Sequence, residues 1–482
     1  MKALNWVDYL VIAGYLLAIT AFGSWFARFQ RSTRDYFLTG RSVPWWAICF
    51  TIVATETSTL SFIGVPAGAY AGNMTFLQLA VGYVVGRILV SVLFIPAYFR
   101  GELYTSYELL QRRFGAPVKN IAAGIFVVTR TLADGVRLFA TALVISVVTQ
   151  VPVSWTVVLI GAAMIVYTVR GGVAAVIWTD VVQMFVYVAG ALIVFAALTS
   201  RLSGGVDAGL EIAREAGRLQ LWDLSFEPTR VYTLWAGLIG GVALTLATHG
   251  TDQFLVQRLL SARSSRDAAL GLVLSGFIVF AQFILFLLIG ALLYAYYTSM
   301  ALPRALERND EILPLFVISE LPHGVSGFIV AAIVAAALSP SINALAATTV
   351  NDFYVKYVHP GADDATLLHV SKAATIFWGI AQIAVALGAQ FVDRSVLDAG
   401  LLVLSFAAGP VLGAFLIGVL TSRVAGGAMV AGMLAGTAAV TWIWWTGAAA
   451  WTWYSAAGVL VTGVVALLAS LVPGPSRRSV EA

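Results

Sequence analysis

The chain has 482 residues, 60% of them apolar and only 11% charged, with a formal net charge of +4. A soluble domain carries roughly 25% charged residues, so a water-solvated globular protein is excluded, and the mean hydropathy of +0.90 points to lipid as the solvent. The single cysteine, Cys49, excludes a disulfide framework or a Cys-rich metal site, and four scattered histidines (His249, His323, His359, His369) argue against a zinc or haem enzyme.

A spanning helix needs about 20 mostly apolar residues. Thirteen such segments are predicted: 4–26, 43–71, 74–99, 118–149, 153–169, 174–199, 231–256, 267–297, 324–353, 370–390, 396–419, 424–446 and 449–472. The first is too long for the apolar core of a cleaved signal and reads as a span. With the N-terminus outside, the inner loops hold seventeen basic residues and the outer segments eight, with Arg87, Arg130 and Arg137 inside spans. That bias supports an N-out, C-in topology. The short loops point to a bacterial inner membrane. No segment suggests a nucleic-acid partner.

Lipid cannot satisfy a free backbone group, so breaks and charges inside spans mark the places to look for function. The second span runs Val53-Ala54-Thr55-Glu56-Thr57-Ser58-Thr59-Leu60-Ser61 and ends near Pro66, with five hydroxyls and a carboxyl in eight residues. Unwinding near 54–58 would free carbonyls for a cation; the plainer alternative is a bent helix whose hydroxyls bond back to their own turn. On the fourth span, Arg130, Asp134 and Arg137 share one face by their spacing. One guanidinium is left over there, which would suit a carboxylate of the solute or belong to an internal ion cluster. Asp180 lies near one end of the sixth span. The seventh carries Gly237, Gly240 and Gly241, either for close packing or for a break, before Thr248-His249-Gly250-Thr251-Asp252. In the ninth, Pro340 cannot donate to the carbonyl of Ala336, and Ser339 adds a hydroxyl beside it. Carbonyl and hydroxyl together are hard oxygen ligands, suited to an alkali cation.

Several strings resemble the sodium:solute symporter family over about residues 5–420: Asp35-Tyr36-Phe37-Leu38-Thr39-Gly40-Arg41, Ala54 to Pro66, Tyr167 to Gln183 with Trp178-Thr179-Asp180, Thr251-Asp252-Gln253 to Arg258, and Ser341-Ile342-Asn343-Ala344-Leu345 to Tyr354. The family includes sodium/glucose, sodium/proline, sialic acid and monocarboxylate or multivitamin transporters. The resemblance implies an all-α, LeuT-type core of two inverted five-helix repeats, about 43–199 and 231–419. Around it lie an N-terminal span and loop (1–42), an outer loop (200–230) and two C-terminal spans with a tail (420–482). It implies a sodium ion between the carbonyls of Ala54 and Thr57, the carbonyl of Ala336 and the hydroxyl of Ser339, with Asp180 nearby. Solute would lie beside Ser58, Ser61, Phe76 and Gln78. Glu56 falls where sodium/proline transporters carry an important aspartate, and Arg137 is the candidate partner of a solute carboxylate. The stretch Ser339-Pro340-Ser341 is about three residues shorter than the family's, most of a helical turn, and Pro340 replaces an expected hydroxyl.

The expected activity is sodium-coupled import of a small, carboxylate-bearing organic solute by alternating access, with no enzymatic chemistry. A proton-coupled or uncoupled carrier, in which Glu56 and Asp180 carry protons, and a membrane-embedded sensor are the alternatives. The solute, the number of sodium ions and the oligomeric state are left open.

Overall fold

The computed structural model describes residues 4–25, 39–100, 103, 105–335, 341–392 and 395–471. Among them the chain is helical, apart from one isolated bridge between Val43 and Ala262. Among the described residues nine helices are long and apolar enough to cross a bilayer: α1 (Trp6–Trp25), α4 (Leu77–Tyr98), α6 (Ala116–Thr149), the second part of α7 (Val173–Arg201), α11 (Ser265–Ser299), α15 (Asp364–Ala389), α16 (Val396–Leu420), α17 (Gly426–Thr446) and α18 (Trp451–Leu471). A tenth span is the pair α2 (Trp45–Glu56) and α3 (Thr59–Ala71), bent by 58° at its break. Three shorter apolar helices complete the set: Val153–Val166, α9 (Ala236–Gly250) and α13 (Val325–Ala335). These thirteen fall on the thirteen predicted segments. Between them lie α5 (Tyr107–Phe114), α8 (Gly205–Glu215), α10 (Gln253–Leu260), α12 (Ile312–Glu320) and α14 (Ile342–Ala347), the last continued by a wide π-turned stretch, Thr348–Val358.

Two boundaries differ from expectation. No loop interrupts residues 170–173: α7 is helical throughout Val153–Arg201, 49 residues. That is about 74 Å if straight, more than twice the bilayer core of about 30 Å. The seventh span continues past 256 as α10, so Arg258 is no loop residue but a buried one.

Lipid is as apolar as leucine, so close approach and polar contacts hold the helices together. Large apolar side chains such as Leu17, Phe185, Trp445 and Leu460 are accordingly exposed to it. Gly82 of α4 and Gly237 of α9 cross so tightly that a Cβ on either would strike backbone of the other helix, at the Gly237 and Gln78 carbonyls. Gly241 packs against Leu79 in the same crossing. The glycines of the seventh span therefore serve packing. The interruption of that span comes later, at Thr251–Asp252, between α9 and α10.

Two interrupted helices thus lie at the centre, α2/α3 and α9/α10, in corresponding places of the two expected halves. Val43 N–H donates to Ser261 O at 3.1 Å, and Arg263 N–H to Val43 O at 3.1 Å, tying the start of α2 to the end of α10. At the opposite face, α1 docks on the start of α13: Asp8 accepts from Gly324 N–H (2.7 Å) and Gly327 N–H (3.0 Å) and pairs with His323 (2.7 Å).

Candidate cation and solute site

α2 ends at Glu56, Thr57 adopts φ −77° and ψ 73°, and Ser58 is extended at φ −84° and ψ 173°. In an unbroken helix the Ser58 and Ser61 N–H groups would donate to the carbonyls of Ala54 and Thr57. Here Ser58 N–H turns to Glu56 O (2.8 Å) and Ser61 N–H to Ser58 O (2.9 Å). Both carbonyls lose their helical donors in a buried place. The neighbouring helix comes close to the same break: Thr59 Oγ1 donates to Ile333 O of α13 at 3.0 Å and accepts from Thr141 Oγ1 of α6 at 2.9 Å. Ile333 lies three residues before Ala336. Ala336, Ser339 and Pro340 themselves fall outside the described residues.

Asp180 is fully buried one turn away. Its Oδ2 accepts from Thr51 Oγ1 (2.6 Å) and from Arg258 Nη2 (3.1 Å), while the Thr55 hydroxyl, 3.5 Å away, donates to Thr51 O at 2.6 Å. Arg258 stacks on Phe254, its guanidinium carbon 4.3 Å from the ring centre, and Arg130 covers the same ring at 4.0 Å. The Thr57 hydroxyl donates to Gln282 Oε1 of α11 at 2.7 Å, which leaves its carbonyl as the group available to a cation.

A cavity of about 100 Å³ opens beside this break. Glu56, Ser58, Ser61, Phe76 and Arg137 line it, with Arg130, His249, the hydroxyl-bearing Thr55, Thr245 and Thr248, and apolar side chains that include Leu244, Phe283 and Leu401. Five of the six residues expected to meet solute are therefore together. Gln78 is not among them: its amide donates to Thr75 O and Tyr232 O and its oxygen accepts from Asp223 N–H, so it ties the outer loop to α4. Phe76 and Leu397 line both this cavity and a second one, of about 340 Å³, further toward the outer loops. Phe76 packs edge-on against Phe283 (5.2 Å) and Tyr232 (5.4 Å), so an aromatic layer separates the two spaces.

The charges correct one expectation. Arg130 grips Asp134 through Nε (3.1 Å) and Nη2 (3.0 Å), and its Nη1 reaches Asp252 at 3.4 Å. The cluster of Arg130, Arg137, Asp134 and Asp252 is balanced, because the break between α9 and α10 brings a second carboxylate that helical spacing could not reveal. Asp134 also accepts from the Ser341 hydroxyl, which in turn accepts from Gln382 at 3.2 Å. Arg137 is left with a looser contact, 3.7 Å from Asp134, and its Nε has no acceptor among the described residues. It is the guanidinium with donors to spare at the cavity wall.

Thr51 was not named from sequence, and Thr59, Arg87, Asp252 and Arg258 were named without a role at the site, because their partners lie on other helices.

Residues 36–436 match the sodium:solute symporter family. The chain belongs to that family. It is 31% identical to the human sodium/iodide cotransporter over 443 residues, 88% of this chain and 68% of that one. It is 30% identical to the sodium-coupled monocarboxylate transporter 2 of Bos taurus, over 88% of this chain and 70% of that one. It is 29% identical to the sodium/sialic acid symporter NanT of Aliivibrio fischeri, over 89% and 85%. A substrate-bound, outward-open structure of a Na+-coupled sialic acid symporter superposes with a TM-score of 0.90 at 26% identity, covering 98% of this chain and 99% of that one. Mhp1, a nucleobase-cation-symport-1 family transporter, shares the fold alone, with a TM-score of 0.58 at 15% identity. The chain is thus a multi-pass, sodium-coupled symporter of LeuT-type fold, embedded in a lipid bilayer. The carbonyls, hydroxyls and carboxylates around the first break are ligands of the hard-oxygen kind that sodium takes.

Proposed function

We propose that this symporter imports a small organic anion bearing a carboxylate, with sodium held at the break between α2 and α3. The observation that carries this reading is the freed pair of carbonyls, Ala54 and Thr57, next to a cavity whose wall offers the spare donors of Arg137. The carbonyl of Ala336 and the hydroxyl of Ser339 complete the cation shell; their part rests on sequence. Asp180 supports the shell by orienting Thr51 of α2. Ser58, Ser61 and Phe76 line the solute's space and Arg137 takes its carboxylate, while Gln78 steadies the outer rim. The relatives' names support an anionic solute, since iodide, monocarboxylates and sialic acid share negative charge.

Sodium binding joins α2 to α13 and completes the cavity; relative movement of the two repeats, about 43–199 and 231–419, then exposes both ligands to the other side. The surplus of basic residues on the inner loops supports an N-out, C-in orientation. In that orientation the membrane potential adds about 2.3 kcal/mol per charge per 100 mV to inward sodium movement. Glu56 and Asp180 are each engaged by a buried guanidinium, so their charges are balanced without a transported proton.

The test is sodium activation of uptake in proteoliposomes by Ser339→Ala and Arg137→Gln. Ser339→Ala is expected to raise the sodium concentration for half-activation about tenfold, the loss of one ligand contact of about 1.4 kcal/mol. Arg137→Gln is expected to weaken carboxylate uptake while leaving sodium activation in place. Unchanged sodium activation in Ser339→Ala would overturn the cation assignment.

A further inference from the structure

Arg87 has no role in the cation site or at Arg137, yet it is a fully buried charge on a membrane helix, a costly feature that calls for a function. Its guanidinium reaches three helices. It pairs with Glu56, the last residue of α2. Its Nη1 lies 3.1 Å from Ser275 Oγ of α11, and its Nη2 3.4 Å from His249 Nε2, next to the last residue of α9.

The hydrogens can be assigned from the neighbours. The Ser275 hydroxyl donates to Leu272 O (2.6 Å), so its oxygen accepts from Arg87. The Thr248 hydroxyl donates to Leu244 O (2.9 Å), so its oxygen accepts from His249 Nδ1–H at 3.0 Å. His249 Nε2 is then a bare acceptor and takes a hydrogen bond from Arg87 Nη2. All three contacts thus run the same way, from Arg87 outward. The arrangement also sits where α2 and α9 both end, and helix C-termini favour a positive charge. Room for it is made by Gly276, where a Cβ would come within 3.1 Å of Arg87 Cδ.

Glu56 meets Arg87 through Oε2 and is itself 14% exposed at the cavity wall. Arg87 is therefore behind the wall and holds a carboxylate that lines the cavity and keeps one oxygen, Oε1, without a donor among the described residues. Arg137 offers spare donors in the same cavity, whose lining mixes apolar side chains with the hydroxyl-bearing Ser58, Ser61, Thr245 and Thr248.

We propose that Arg87 is a positioning residue that fixes Glu56 as a hydrogen-bond acceptor for the solute, and that the solute is a carboxylate carrying a separate donor group, such as a hydroxyl or an amide N–H. This rests on the reading of Arg137 as the carboxylate's partner. A plain carboxylate would leave Glu56 Oε1 desolvated and unpaired, which is how a polar site rejects a ligand lacking the matching group.

The experiment measures sodium-dependent thermal stabilisation of the purified full chain by matched pairs: propionate against lactate, and hexanoate against 6-hydroxyhexanoate. Wild type is expected to bind the hydroxylated member of at least one pair at least about tenfold more tightly, the lower end for a hydrogen bond to a charged group. Glu56→Gln and Arg87→Gln are each expected to shrink that preference, while Arg87→Lys retains most of it. If a single variant does not fold, the charge-neutral double variant E56Q/R87Q is measured in its place and is expected to lose the preference. Equal binding within both pairs by wild type leaves the carboxylate reading intact and overturns this one. A preference that persists in Glu56→Gln, or in the double variant, also overturns it. Binding by no member of either pair overturns the carboxylate reading and this proposal with it.

Discussion

The two interrupted helices look alike in outline and differ in how their backbone groups are satisfied. At α9/α10 the protein supplies its own donors. Tyr98 O–H donates to Gly250 O, Ser106 Oγ to Thr251 O at 2.9 Å, and the N–H groups of Thr251 and Asp252 both turn back to Ala247 O. Asp252 then caps α10 by accepting from Phe254 N–H at 2.8 Å. At α2/α3 the carbonyls of Ala54 and Thr57 lose their helical donors; Ser58, the N-cap of α3, makes no side-chain cap, and the Ser61 hydroxyl donates to Glu56 O at 3.2 Å rather than to either of them. A buried carbonyl without a donor costs free energy, and a cation relieves that cost. On the proposed reading the first break holds the cation, while the second is a self-contained joint whose surplus carboxylate, Asp252, balances Arg130.

The largest expected effect tests what stands between the two breaks. Arg258 of α10 reaches Asp180, which orients α2 through Thr51. Arg258→Met strands a buried carboxylate and is expected to destabilise the protein by about 3–5 kcal/mol, read as a lowered unfolding midpoint in detergent. Adding Asp180→Asn should restore much of it. Single and double variants of equal stability would show that the pair does not couple the two breaks.

A sharper contrast comes from one hydroxyl at each break. Thr59→Val, which removes the contact with Ile333, is expected to raise the sodium requirement for uptake about tenfold, or about 1.4 kcal/mol. Tyr98→Phe removes a donor from the second break and is expected to lower stability by about 1 kcal/mol without moving sodium half-activation. Matching sodium shifts in both variants would erase the distinction between a binding break and a joint.

The smallest effect lies in the outer loop. Two hydrogen bonds from Ser225, hydroxyl and N–H, hold the Asp223 carboxyl below its ordinary range, with Arg230 adding to them. Because that value is depressed on folding, the stabilisation is fully present above the ordinary aspartate value of about 3.9 and fades only as pH falls through the lower folded value. Asp223→Asn should therefore cost a few tenths of a kcal/mol at neutral pH, as expected for a rim ion pair. The loss should vanish in unfolding scans carried well below pH 4. A loss that stays constant across that range would assign it to backbone contacts of the loop.

Membrane residence, the thirteen apolar segments and the first break were legible from composition and local pattern, because lipid imposes length and apolarity on each span separately. The density of hydroxyls from Thr55 to Ser61 marked a place where helix bonds are weak, and the break lies there. Partnership was not legible. Helical spacing showed Asp134 between two arginines but not Asp252, which is more than a hundred residues away and arrives only through the second break. Arg87 read as a lone charge until Glu56, His249 and Ser275 closed around it from three other helices. Arg258 read as an inner-loop residue because a window of hydropathy ends at the first polar run, while the chain continues as a buried helix. Gln78 sat near the right aromatic residue in sequence, but about half a turn of helix carries its amide to the outer loop instead. The sequence by itself determined where the backbone could break and which charges entered the membrane. Which charges cancel, and which atoms remain free for an ion or a solute, was decided by tertiary packing, since in a low-dielectric interior each buried polar group must find its partner wherever the fold brings one.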